Sequence, residues 1–307
     1  MQTKHFREAF MKRITVFLCI ALLFAGAGML NAQQNFKVFI SVDMEGICGV
    51  VNSDHVSTTG SDYGRAREWM TEEANAAILG ALDAGATEIV VNDSHGGMRN
   101  ILIEKLHPAA DLISGSPKAL SMMEGIDETY DAVIFIGYHA RMGTMNAVLD
   151  HTMSSSRIYN VFMNGKIMNE ASMNAAIAGY YGVPVVFVAG DKAVTEQVHE
   201  LIGKNIEVAA VKEGVGRQAA RNVSLERAHK MIREGVRRGI ENRQRMPVYK
   251  LDSPVTLEME FLRSDMTDNL ILIPGVKRIS ARKITYTHDD YITVFKLMRA
   301  LITLAGS

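Results

Sequence analysis

Three short hydrophobic runs in this chain each stop at residues able to hold a metal ion. Phe36 to Val42 leads into Asp43-Met44-Glu45-Gly46, Glu88 to Val91 into Asn92-Asp93-Ser94-His95, and Ala132 to Ile136 into Gly137-Tyr138-His139. β-Rich runs separated by helical segments imply parallel strands, and open parallel sheets bind ligands in the crevice beyond the carboxyl ends of their strands. The pattern predicts an α/β fold, with a mostly parallel sheet flanked by helices and the three polar clusters gathered at one end of it. A smaller C-terminal α+β lobe is expected to follow, because the text after residue 205 alternates less regularly between strand and helix.

The first 32 residues stand apart from this body. They are basic up to Arg13, apolar from Ile14 to Leu30, and end at Ala32 before Gln33-Gln34. That is the layout of a cleavable secretory signal, and its many small residues and abrupt polar exit argue against a membrane anchor. The expected organisation is therefore a signal peptide at 1–32, a metal-binding catalytic domain at 33–205 and, at 206–307, a C-terminal lobe of the same catalytic unit. The expected location is exported, in the periplasm, with no stable membrane insertion after cleavage. Of the two cysteines, Cys19 leaves with the signal and Cys48 remains, so no disulfide can form within the mature chain. Without residues 1–32 the formal charge falls from -1 to near -4. No basic stripe or nucleic-acid motif is present, so nucleic acid is not an expected partner.

Along the body, Arg65 to Ala84 reads as a helix ended by Gly85, and a further helix is expected around Leu102 to Leu106. Asn164-Gly165 marks a hairpin turn within Tyr159 to Ile167. Helices are expected at Glu170 to Tyr181, Thr195 to Ile202, Leu225 to Arg245 and Tyr291 to Leu304, and strands at Val183 to Ala189, Glu207 to Lys212, Thr256 to Phe261 and Lys283 to Thr287. The Leu225 helix carries Ala228, Ile232, Val236 and Ile240 on one face, so its many charges belong to a solvated surface.

The chemistry rests on few residues. Asp43 and Glu45 are two apart, a spacing that places strand residues on the same side. Two carboxylates near His95 and His139 would bind a divalent cation, since Asp, Glu and His all ligate zinc. Taken alone, each has an ordinary alternative: Asp43 and Glu45 as loop caps, His95 and His139 as hydrogen-bonded structural residues, Glu170 as a carboxylate favoured by the helix dipole. Asp191 is expected to cap the following helix or to brace a ligand. His151 sits a short loop beyond His139, where it could reach a substrate from the rim. His107 is expected at a helix end, and His55, His199, His229 and His288 at the surface. Cys48 reads as a small buried residue, because nothing nearby would lower its pKa. Nucleotide-binding glycine loops and the Gly-x-Ser-x-Gly elbow are absent.

Six segments resemble the DppA-type D-aminopeptidases, a family of zinc metallopeptidases: Ser41 to Gly46, Met70 to Asn75, Val91 to His95, Leu106-His107-Pro108, Gly137 to Ala140 and Ala178 to Val185. They run collinearly over almost the whole mature chain. The resemblance implies two zinc ions per chain, with Asp43 bridging them, Glu45 and His95 on one, and His139 and Glu170 on the other. It places the catalytic histidine at His151, although the loop from His139 is one residue longer here. It also implies a homo-oligomer, a ring-shaped decamer whose sites face an internal channel and admit only short peptides. The segment from Val215 to Met246 matches poorly, and the signal peptide is a departure from cytoplasmic relatives.

The expected function is hydrolysis of short peptides with an N-terminal D-amino acid, such as D-Ala-D-Ala, by metal-activated water. The same ligands would serve a hydrolase of another amide or a phosphoester. A solute-binding protein with a structural cation is the alternative outside enzymes, but such proteins have two similar α/β lobes and this chain does not read that way.

Overall fold

The computed structural model describes residues 35–306, so the segment expected to be a signal peptide lies outside the described residues. Phe36 onward forms one compact unit. Its first sheet has seven strands: β1 (Lys37–Val42), β2 (Glu88–Asp93), β3 (Ala110–Ile113), β4 (Ala132–Tyr138), β7 (Val185–Asp191), β8 (Glu207–Gly216) and β9 (Ala219–Asn222). They lie in the order β3-β2-β1-β4-β7-β8-β9, all parallel except the final β8–β9 pair. From β1 the chain steps outward to β2 and β3, then returns to place β4 on the other side of β1. The switch point, where such sheets open a binding crevice, therefore lies between β1 and β4.

Side-chain alternation divides the core. Val38, Ile40 and Val42 of β1 pack with α2 (Tyr63–Asp83) and α5 (Leu225–Glu241), while Phe39 faces the opposite layer. That layer contains α3 (Glu170–Tyr180), α6 (Tyr291–Leu304) and a second sheet. The second sheet, in the order β11-β12-β10-β5-β6, is built from β5 (Ile158–Met163), β6 (Lys166–Met168), β10 (Val255–Phe261), β11 (Lys277–Ser280) and β12 (Lys283–His288). Two further helices are α1 (Ser53–Val56) and α4 (Lys192–Leu201). Among the described residues no helix is long and apolar enough to cross a membrane.

Sheet membership does not follow the boundary expected at 205/206. The β5–β6 hairpin pairs antiparallel with β10, about a hundred residues later, while β8 and β9 extend the first sheet and α5 packs across α2. The reason is burial: β8 continues the parallel array beside β7, and α5 supplies the apolar face that covers it. Leu102 to Leu106 is a single turn, not a helix. Asp93 holds the preceding loop by accepting from the backbone amides of Asn100 and Ile101 and from the Asn100 side chain, and Pro108 stands two residues past Leu106.

Candidate metal centre

Strand register brings the strand ends to one level, with Val42 of β1 beside Asp93 of β2 and Ile136 of β4, and Tyr138 of β4 beside Gly190 of β7. The loop after β1 is pressed against the end of β4. Asp43 N donates to Ile136 O at 2.8 Å and Gly46 N to Gly137 O at 2.7 Å. Glycine is required on both sides of this contact. A Cβ on Gly46 would lie 2.0 Å from Tyr138 O, and one on Gly137, whose φ is +71°, would lie 2.1 Å from Asp43 O.

Asp43 and Glu45 occupy a turn rather than a strand, so the period-two spacing expected to align them does not apply. They converge all the same. Asp43 turns Oδ1 to His95 Nδ1 and Oδ2 to His139 Nε2, each at 3.4 Å. Glu45 Oε2 lies 2.9 Å from His95 Nδ1, and Glu170 Oε2 lies 3.6 Å from His139 Nε2. Glu170 opens α3 directly after Asn169, whose side chain forms a capping box with Ser172, and its Oε1 accepts from Met153 N at 2.6 Å. All five side chains predicted as ligands thus meet, buried or nearly so. His151 stacks on His139 with ring centroids 4.1 Å apart and points Nε2 at Glu170 Oε1, 3.8 Å away.

The backbone fixes each ring. Val56 O lies 2.9 Å from His95 Nε2, Ala140 O 3.0 Å from His139 Nδ1, and Leu149 O 2.9 Å from His151 Nδ1. A carbonyl oxygen only accepts, so these nitrogens carry the hydrogens and the opposite nitrogens face the carboxylates. Burial disfavours the charged imidazoles, yet Glu45 and Asp43 hold His95, and Glu170 and Asp43 hold His139, well above the usual histidine range. Burial and the neighbouring Glu45 raise Asp43, while Glu45 itself is held low by His95 against the cost of its burial.

These residues fit a cation. Among the described residues His139 Nε2 and Asp43 Oδ2 are buried without a hydrogen bond, in a cluster where three carboxylates meet imidazoles and need positive charge between them. One ligand atom from each of Asp43, Glu45 and His139 lies within 4.8 Å of the others, as does one from each of His139, His151 and Glu170.

A buried shell supports the cluster. Ser41 Oγ bonds Ser94 Oγ and Tyr138 OH, and Asn174 donates to the same phenol at 2.8 Å, tying β1, β4 and α3 together beneath the site. Asp191 caps α4 through Val194 N, as expected, and also receives Val148 N at 2.8 Å, which anchors the loop leading to His151. Lys212 of β8 was not foreseen. Its buried ammonium donates to the carbonyls of Glu45, Ile47 and Val50, and burial lowers its pKa to about 8. Cys48 is buried, and burial raises its thiol to about 12, as expected of an inert residue. His55, expected at the surface, is instead buried, stacked on Trp69 and bonded to Asn52.

A cleft of about 410 Å³ opens over the cluster, lined by Asp43, Glu45, His95, His151 and Glu170 and also by Met98, Ser121, Met153 and Arg299. Met98, Ser121 and Met153 all have φ between 53° and 62°, so unfavourable backbone conformations gather at its walls.

Carboxylates alternating with imidazoles beneath a cleft, at the switch point of a parallel sheet, define the site of a metal-dependent hydrolase. The family model described as D-aminopeptidase, peptidase M55, matches residues 36–300, and the chain belongs to that family. It is 38% identical over 271 residues to a D-aminopeptidase of Bacillus subtilis strain 168, covering 88% of this chain and 97% of that protein. Among solved structures it is similar to one described as the Zn-dependent D-aminopeptidase DppA from Bacillus subtilis, a self-compartmentalizing protease. The TM-score is 0.85 at 36% identity, over 88% of this chain and 98% of the other.

Proposed function

We propose that this protein is a zinc-dependent D-aminopeptidase that hydrolyses short peptides with an N-terminal D-amino acid. It would hold two zinc ions per chain through Asp43, Glu45, His95, His139 and Glu170. One observation carries the reading: Asp43 offers one oxygen to each of two imidazoles whose outer nitrogens are pinned as donors, and among the described residues Oδ2 and His139 Nε2 have no hydrogen bond. Membership of the D-aminopeptidase family and the zinc dependence of the similar structure support it.

Bound zinc supplies Lewis-acid polarisation of the scissile carbonyl and a water that loses its proton near neutral pH. The chain supplies the rest. Val56 O, Ala140 O and Leu149 O lock the three ring tautomers, so no reorganisation is needed during turnover. His151 presents Nε2 at the cleft wall without a hydrogen in this tautomer, so it can take a proton from the attacking water and then pass it to the departing amine. The buried network under β1 and β4 keeps Asp43 in register with both histidines.

The test is hydrolysis of D-Ala-D-Ala by protein stripped with a chelator and then given zinc. Activity should vanish and return, and kcat/KM should exceed that for L-Ala-L-Ala by at least ~10²-fold, since inverting Cα misplaces the amine and side chain by about 1 Å or more. Full activity in the stripped protein, or equal rates on both isomers, would contradict the reading.

Two further proposals concern the whole protein. Residues 1–32 act as a signal, and the mature protein is exported to the periplasm; N-terminal sequencing of the protein recovered from that fraction would find a start near Gln33. The chain forms a homo-oligomer, a decamer, a reading supported by the self-compartmentalizing description of the similar structure. Light scattering of the purified protein would give a mass about ten times that of one chain.

A further inference from the structure

The cleft carries one cation that the chemistry above does not use. Arg299, on α6, is the only arginine or lysine lining it, and among the described residues its guanidinium has no hydrogen-bond or ion-pair partner. Other arginines of this molecule are engaged: Arg233 with Asp83, Arg238 with Glu207, Arg278 with Asp268 and Arg282 with Glu260. Arg299 is also half-buried in a helix that is otherwise mostly apolar. Glu170 offsets part of the cost of that burial from a distance, but no described residue bonds the guanidinium, and its five donors are open to a small anion.

The anion can be identified from the rest of the cleft. Apart from Arg299 and the cluster, its walls include the hydroxyls and thioethers of Ser121, Ser154, Met98, Met122 and Met153, and among the described residues the only acids lining it are Asp43, Glu45 and Glu170, all in the metal cluster. A volume of about 410 Å³ lies near the low end for small-molecule sites, so the occupant is small. A short peptide is a zwitterion whose reacting end lies at the cluster and whose far end is a carboxylate. The planar guanidinium fork matches a carboxylate in two parallel hydrogen bonds.

Building on the aminopeptidase reading above, we propose that Arg299 binds the C-terminal carboxylate of the substrate. It thereby makes the enzyme selective for very short peptides with a free C-terminus, dipeptides above all. Arg299 is on this account a specificity-determining residue, acting on the far end of the substrate and not on the reacting bond.

The test compares D-Ala-D-Ala with D-Ala-D-Ala amide, on wild type, Arg299→Met and Arg299→Lys, each loaded with zinc. The amide releases the less basic amine, so bond chemistry alone favours it, and any preference for the free acid must come from recognition. Wild type should prefer the free acid by at least ~10-fold in kcat/KM, expressed mainly in KM, the scale of one charge-assisted bond. The ratio should collapse to about one in Arg299→Met and be intermediate in Arg299→Lys, which keeps the charge and loses the fork. Equal wild-type rates on the two peptides, or a ratio unchanged in Arg299→Met, would overturn the assignment. The wild-type comparison decides the matter even if a variant fails to fold. If wild type cleaves neither peptide, the aminopeptidase reading and this inference fall together, whereas equal cleavage of both removes only this inference.

Discussion

Asp43→Ala takes away the oxygens that face both His95 and His139, while loss of Glu45 or Glu170 touches one side of the cluster. The Asp43 variant should therefore lose zinc from both positions and be the most damaging of the ligand changes. Metal analysis of the purified protein would refute the bridging role if two ions per chain remained. His151→Ala should separate binding from chemistry, with zinc content close to wild type and kcat lower by ~10²-fold or more. Loss of one zinc in that variant would make His151 a ligand, a possibility that its 3.8 Å approach to Glu170 makes worth measuring. Most of the cluster was legible at this scale, because Asp43, Glu45, His95 and His139 each follow a strand-like run. Glu170 was not legible without the family resemblance, since an acidic residue opening a helix is common for reasons of the dipole alone. Lys212 and Arg299 were missed because a lone basic residue in an apolar element reads as one that reaches solvent, and only tertiary contacts reveal where its charge goes.

The contact between the turn after β1 and the end of β4 is where an element is most sensitive. Gly137→Ala would force a side chain into positive φ and into the backbone of Asp43. The expected loss is about 2 kcal/mol or more of stability, read from the urea midpoint, with weaker zinc retention because Asp43 must move. A variant with unchanged midpoint and zinc content would disprove the close approach. The long elements were readable because their periods are strong: α2, α3, α5, α6 and the parallel strands fall within a few residues of expectation. The short ones were not. α1, β9 and β11 have four residues each, too few for a period, and are held by side-chain caps or neighbouring strands. The Leu102 segment misled because its apolar spacing is helical while Asp93 claims the amides before it.

For the molecule as a whole, the buried acid Glu73 links stability to pH. Burial raises its pKa from 4.5 to about 7, and it accepts from Cys48 N while its other oxygen has no hydrogen-bond partner among the described residues. Because the folded value lies above the unfolded one, its contribution is fully present below about pH 4.5 and is lost as pH rises through about 7. Glu73→Gln cannot ionise, so relative to wild type it should gain up to about 3 kcal/mol between pH 4.5 and pH 8. Urea melts of both proteins in chelator at those two pH values would show this, and a pH-independent difference would exclude the raised pKa. The two-sheet architecture was only half legible, because β5 and β10 are too far apart in the chain for local pattern to pair them. That interleaving also bears on biosynthesis. A nascent chain that has reached residue 205 already carries Asp43, Glu45, His95, His139, His151 and Glu170, yet it lacks Lys212 to hold the Glu45 turn and β10 to close the sheet behind β5. Long-range pairings of this kind form late. The turn that carries Glu45 thus gains its buried cation, and β5 its partner strand, only once the C-terminal third of the chain has been made.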